Sequence, residues 1–446
     1  MKLLRLLILL LIGLPATVQA QWNYYTNNGS ITIRNYLGSD AVVTIPSSIN
    51  NLPVTDIYAA FELNPFVTSV TIPDSITNID IEAFDSCNLL TNVAIGNGVI
   101  NIGYEAFRSC TKLASITVPD SVTFVDGSVF QGCTSLTNIT LGNSITNIGS
   151  RIFESCAKLS NIKIPSGVIS IESEAFDGCT SLTNITIPDS VINIGDLAFS
   201  QCSKLTSIVM PTSVTSIGNA AFLNCPNLVS VAIPNGVISM GWSCFASCTH
   251  LTNVTIGNSV TNIGVSAFAG CTRLTSIIIG SSLTSIGTNV FGFCGSLTKI
   301  TIPKNITNIV SYAFNSCTNL VAIYFQGNPP NADATVFTND NQAIVYYMPE
   351  TTGWGATFAG RPVVLWNPQA QNDASFGVQN NQFGFNIVGS SNLVIVVEAC
   401  TNLANPSWSP VGTNTLNTFI GTNGISYFSD PQWTNYPSRF YRFRSP

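Results

Sequence analysis

Charge is scarce in this sequence. Asp, Glu, Lys and Arg make up 9% of its 446 residues, against about 25% in an average globular protein. Histidine occurs once, at position 250. The formal net charge is -6, which excludes the basic stripe that a nucleic-acid partner requires. Carboxylate pairs, nucleophile–histidine pairs and metal clusters all need groups that this composition barely supplies. After residue 20 no apolar run is long enough to cross a bilayer. Asn, Thr, Ser and Gly fill the polar positions instead, which suits an extracellular protein kept soluble by amide and hydroxyl groups.

The N-terminus reads as a secretory signal over residues 1–20. Lys2 and Arg5 form a basic start, Leu3 to Leu14 is almost wholly apolar, and Val18-Gln19-Ala20 supplies small residues for cleavage. No cysteine follows that site, so no lipid anchor is expected there. The mature chain is expected to be released, or held at the cell surface by something other than a helix.

Repetition dominates the remainder. Eleven cysteines, from Cys87 to Cys317, are spaced by 23 residues without a slip. A phenylalanine stands three residues before each, and the same phase extends to Phe61 and Phe337. At those two ends Asn64 and Asp340 replace the cysteine, and atypical end units are what a stack of repeats needs. One unit reads Leu182-x-x-Ile185-x-Ile187-Pro188-x-x-Val191-x-x-Ile194-x-x-x-Ala198-Phe199-x-x-Cys202. Ile185-Thr186-Ile187 alternates like a strand, and Pro188 ends it. The Ala-Phe-x-x-Cys part has room for one short helical turn. No unit buries its apolar positions alone, so the expected architecture is a strand-rich α/β solenoid of about 13 coils.

This pattern resembles the BspA-like class of bacterial leucine-rich repeats, from Gln21 to Trp366. Serines such as Ser75, Ser121 and Ser190 stand where other leucine-rich repeats carry an asparagine ladder, which is normal for that class. The resemblance implies surface exposure and adhesion to proteins or glycans, and no chemistry. The expected organisation is an N-terminal cap at 21–60, a solenoid with its C-terminal cap at 61–366, a polar linker at 367–375 and a small β module at 376–446. The cap contains a hairpin turning at Asn27-Asn28-Gly29 and a loop from Asn50 to Pro53. The ending, from Phe428-Ser429-Asp430-Pro431 through Arg439-Phe440-Tyr441-Arg442, resembles short terminal modules on other secreted bacterial proteins.

Regular thiols in an exported protein raise the question of disulfides or metal. Ladder positions point the same way and do not converge, as both would require. The cysteines are therefore read as reduced core residues, Cys244 among them, with Cys400 a lone thiol. His250 has no partner in register and is read as a surface residue. Asp74, Asp120 and Asp189 sit at strand ends, where they suit a turn. No catalytic, cofactor or metal residue is expected.

The informative positions face outward on the main strand. That row includes Thr117, Thr140, Lys163, Thr186, Thr255, Thr301, Tyr324 and Tyr347. It is flat, neutral and hydroxyl-rich, and turns aromatic toward the C-terminal end. The expectation is a binding or adhesion protein that recognises an extracellular protein or polysaccharide through this face, with Tyr324 and Tyr347 as stacking anchors. A structural envelope component without a ligand is the second reading, and a hydrolase the third.

Overall fold

The computed structural model describes residues 21–390, 393–416 and 424–444. The expected signal peptide lies outside them. The repeats wind into a β-solenoid of about 14 turns with almost no helix. In the unit quoted above, the main strand is Asn184–Thr186 and a short second strand is Asn193–Ile194. Main strands stack in parallel with a step of 23: Asn184 lies against Ser207, Ile185 against Ile208 and Thr186 against Val209. The second strands keep the same step, with Ser170 against Asn193 and Asn193 against Ser216. Ile185 is buried and Thr186 exposed, because alternate strand residues face opposite ways.

The expected helical turn at Ala-Phe-x-x-Cys does not form. Two residues per coil adopt left-handed backbone, Leu197 (φ 55°) and Gln201 (φ 58°) in this unit. Each one stops the chain after a single turn, so Ser200 N–H bonds Leu197 O at 3.0 Å, Cys202 N–H bonds Phe199 O at 3.4 Å, and neither bond propagates. Left-handed non-glycine backbone costs about 1–2 kcal/mol per residue. The compensation comes from the next coil: Leu197 N–H reaches Asn219 O and Gln201 N–H reaches Leu223 O, both at 2.8 Å. Among the described residues the one helical element is a 3-10 turn at Trp433–Asn435.

The core is a column. Phenylalanines from Phe61 to Phe337 stack ring on ring, with centroids 4.8–5.8 Å apart and planes parallel to within 26°. Trp22 and Tyr36 close its N-terminal end, at 5.9 and 5.2 Å from Phe61. Both come from the hairpin Trp22–Asn27 and Ser30–Tyr36, which turns at Asn28 and Gly29 with positive φ. The expected loop at 50–53 is tighter than a loop. Asn50 and Asn51 (φ 52° and 63°) make a two-residue turn between Ser48–Ile49 and Leu52–Ile57. At the far end Phe358 packs edge-on against Phe337, and Arg361–Leu365 adds a last parallel strand to Ile344–Tyr347.

Beyond Trp366 the chain forms two small antiparallel sheets. One centres on Gln382–Gly389, flanked by Gln369–Ala370, Gly377–Gln379 and Gly424–Asp430. Gln369–Ala370 thus pairs as a strand within the stretch expected to be linker. The other sheet places Val394–Cys400 between Ser409–Thr415 and Phe440–Arg444. These sheets fold back onto the solenoid. Ala322, Tyr324, Tyr346 and Trp366 form one buried apolar cluster with Phe385, Ile387, Leu393, Ile395, Val397, Leu416 and Phe428.

Candidate functional site

Parallel stacking with a step of 23 puts every second strand residue on one outward face. Along it Thr117, Thr140, Lys163, Thr186, Val209, Thr255 and Ile278 are exposed. Lys163 keeps only a single bridge, to Thr186. At Thr301 the row becomes half-buried, and at Tyr324 it is 1% exposed. The C-terminal sheets roof this end of the face.

That geometry changes the reading of both tyrosines. Tyr324 lies under the roof, and burial pushes its phenol well above the usual range. The outward slot of the next coil belongs to Tyr346, not Tyr347. The last coil is one residue short, so Tyr324 pairs with Tyr346, their rings stacked at 5.1 Å, while Tyr347 falls beside Phe325. The half-buried Tyr347 ring stacks on Trp354 of the C-terminal cap at 5.6 Å. Neither residue is presented as an anchor on the open face. Thr117, Thr140, Lys163, Thr186 and Thr255 lie on the exposed part of the row, and Thr301 is half-buried at its covered end.

A groove of about 970 Å³ crosses this row between Asn92 and Pro165. Asn92, Ser115, Asn138 and Asn161 line it as one rank of amides and hydroxyls, and Ala94, Thr117, Thr140 and Lys163 as the next. The strand ladder is broken here. Asn92–Ile95 ends one sheet, Ser115–Thr117 pairs only with Asn138–Thr140, and the following sheet starts at Asn184–Thr186. Asp120 stands at the rim, where its Oδ1 accepts from Asn143 N–H of the next coil at 2.8 Å. Asp74 does the same for Asn97 at 2.7 Å. These carboxylates brace turns, and a single cation, Lys163, is left facing the groove.

The other candidate groups resolve as structure. All thirteen cysteines are free and buried. Each ladder thiol donates to the carbonyl of the phenylalanine one coil back, as Cys179 does to Phe153 at 3.2 Å and Cys271 to Phe245 at 3.3 Å. Burial pushes the Cys133 and Cys248 thiols up to about 12, which removes thiolate reactivity. The His250 ring is half-buried, with Nδ1 2.6 Å from Pro226 O. Among the described residues no group of three or more His, Cys, Asp or Glu is placed to hold a metal ion, and no helix is long and apolar enough to cross a membrane.

A family model described as the BspA type leucine-rich repeat region matches residues 57–179, 146–271 and 241–353. Among solved structures the chain is similar to a leucine-rich cell surface protein of Faecalibacterium prausnitzii A2-165. Identity is 31%, over 75% of this chain and 94% of that one, with a TM-score of 0.51. It is also similar to a leucine-rich repeat protein of Bacteroides ovatus ATCC 8483, 27% identical over 74% of this chain and 93% of that one, with a TM-score of 0.58. No curated protein matches.

Proposed function

Since the chain belongs to the BspA-type leucine-rich repeat family, we propose that it is an exported bacterial surface protein that binds an extracellular protein or polysaccharide through the open part of its strand face. One observation carries this reading. The outward row stays exposed over ten successive coils, from Thr71 to Ile278, while the same row is covered beyond Thr301. A long, neutral, amide- and hydroxyl-lined surface presents many hydrogen-bonding groups on a rigid frame, which favours recognition of an extended partner. The cell-surface relative supports the location. The groove over Thr117, Thr140 and Lys163 is the proposed centre of the contact. No group near it is equipped for acid–base or nucleophilic work, so binding rather than catalysis is the reading.

The test is a capture screen of the chain against extracellular matrix proteins and surface polysaccharides, repeated with a Thr117→Arg, Thr140→Arg double variant. Two arginines project from the strand without touching the core, so the fold should persist by circular dichroism while capture is lost. Undiminished capture by the double variant would remove the groove from the proposal.

A further inference from the structure

A line of isolated cations runs along the edge where the chain enters each main strand. The residue before the core leucine is Lys112, Lys158 and Lys204 in alternate coils, each 46 residues from the last, and His250 holds the next place. Ser135, Ser181 and Asn227 fill the coils between. The three lysines are exposed, and none makes an ion pair or side-chain hydrogen bond with any described residue. The acidic slot four residues earlier holds Asp85, Glu154 and Asp177, whose carboxylates accept from Arg108, Gln131 and Gln201 instead. Leu113, Leu159 and Leu205, next to the lysines, are fully buried and pin the backbone under the row. Two residues past the lysine position the coils hold register: Thr137 N–H bonds Ala114 O at 2.9 Å, Thr183 N–H bonds Ser160 O at 3.3 Å, and Thr206 N–H bonds Thr183 O at 3.1 Å. The row is therefore straight. With neighbouring strands about 4.8 Å apart, it presents one cation roughly every 9.6 Å.

We propose that this edge binds a linear acidic polysaccharide that carries one carboxylate per disaccharide. Such a chain, lying along the solenoid axis, places its carboxylates one extended disaccharide apart, a length close to two coils. Each carboxylate would meet a lysine. The uncharged sugar between would meet Ser135 or Ser181, whose hydroxyls donate and accept as its own do. One exposed ion pair contributes little, but three engaged by a single stiff chain act together. An acidic peptide fits less well, since an extended strand repeats its side chains on one face about every 6.6 Å. Duplex nucleic acid carries a charge about every 1.7 Å of axis, and three sparse lysines neutralise too few of them. The edge lies outside the Asn92–Pro165 groove, whose lining holds none of these lysines, and does not depend on the reading of that groove.

Chromatography of the full chain on immobilised hyaluronan tests it. A protein of net charge -6 should be repelled by a polyanion, so retention at low salt reports a local cationic site. Added salt should release the protein as it screens the lysines, and methyl-esterified hyaluronan should not retain it. The Lys112→Gln, Lys158→Gln, Lys204→Gln triple variant should pass through unretained. Lys304→Gln, which removes an exposed cation off the row, should be retained like the parent. Spacing is tested apart from charge by Lys158→Ser with Ser181→Lys, which moves one cation by a single coil and should cut retention sharply. No retention of the parent, equal retention on the ester, retention of the triple variant, equal retention of the shifted variant, or stronger retention on immobilised polyglutamate would each overturn the proposal.

Discussion

Asp340 should be the weakest point of the solenoid at neutral pH, and replacing it with asparagine should repair it. It occupies the slot that a cysteine fills in the preceding coils, one step beyond Cys317. Its residue is 1% exposed, and neither carboxylate oxygen has a hydrogen-bond partner. The nearest cation, Arg361, spends its Nη1 on the Asp340 carbonyl at 2.9 Å. The Cys317 thiol, on the coil below, ionises only to an anion and so supplies no counter-charge. Burial therefore pushes the carboxyl from its ordinary 3.8 up to about 7, with Arg361 and the Cys317 backbone N–H opposing only in part. In the range between those values the unfolded chain gives up a proton that the folded one keeps. Stability from this group is thus complete below about pH 4 and is lost as pH rises through 7. About three units at 1.36 kcal/mol each put the loss on the order of 4 kcal/mol. Asn64, in the equivalent slot at the opposite end, shows what an amide does there: its Oδ1 accepts from Phe66 and Val67 N–H at 2.9 and 3.0 Å. Asp340→Asn should unfold at higher urea than the parent at pH 8 and at nearly the same urea at pH 4, with slower amide exchange across 337–365. Parallel pH profiles for the two proteins, or a larger gain at pH 4, would refute the reasoning.

Five further outcomes are expected. Phe199→Ala removes a ring stacked at 5.2 Å on both Phe176 and Phe222, and should cost about 3–5 kcal/mol in chemical denaturation. The Phe153 carbonyl accepts from Cys156 N–H at 3.0 Å and from the Cys179 thiol at 3.2 Å; Cys179→Ser keeps the second donor and Cys179→Ala removes it, so the serine variant should be the more stable by about 1 kcal/mol. The thiols should react with Ellman's reagent only after denaturant is added. Gly98→Ala places a methyl carbon 1.8 Å from the Asp74 carbonyl oxygen, and should lower the melting temperature through the local shift it forces. Ending the chain at residue 366 uncovers Tyr324, Tyr346 and Trp366, and should raise binding of an apolar dye or cause self-association.

The solenoid was legible because its signal is repeated. A cysteine and a phenylalanine every 23 residues fix the coil length, the core column and the direction of each strand. Asn28-Gly29 announced its hairpin for the same local reason, a turn that needs positive φ. What failed to read from sequence was nonlocal or irregular. Counting by 23 from Tyr324 lands on Tyr347, and only the pairing of Ile323 with Val345 reveals that the last coil is a residue short. The burial of Tyr324 depends on Phe385, Ile387 and Phe428, which lie far along the chain and carry no mark of where they dock. The turn at Ala198-Phe199 looked helical because the stretch is just long enough for one helical turn. Left-handed Leu197 and Gln201 are held by carbonyls of the following coil, which no single unit contains.

Each coil of the column touches only the coil before and the coil after, yet both ends are closed by fixed pieces: the Trp22–Tyr36 hairpin at one, the roofing sheets at the other. Duplicating or deleting one inner 23-residue unit therefore leaves every cap contact as it was and changes a single quantity, the length of open face between the hairpin and the roof. The gene behaves as a ruler marked in whole coils. Gain or loss of whole repeats can adjust reach one notch at a time, without reinventing the ends.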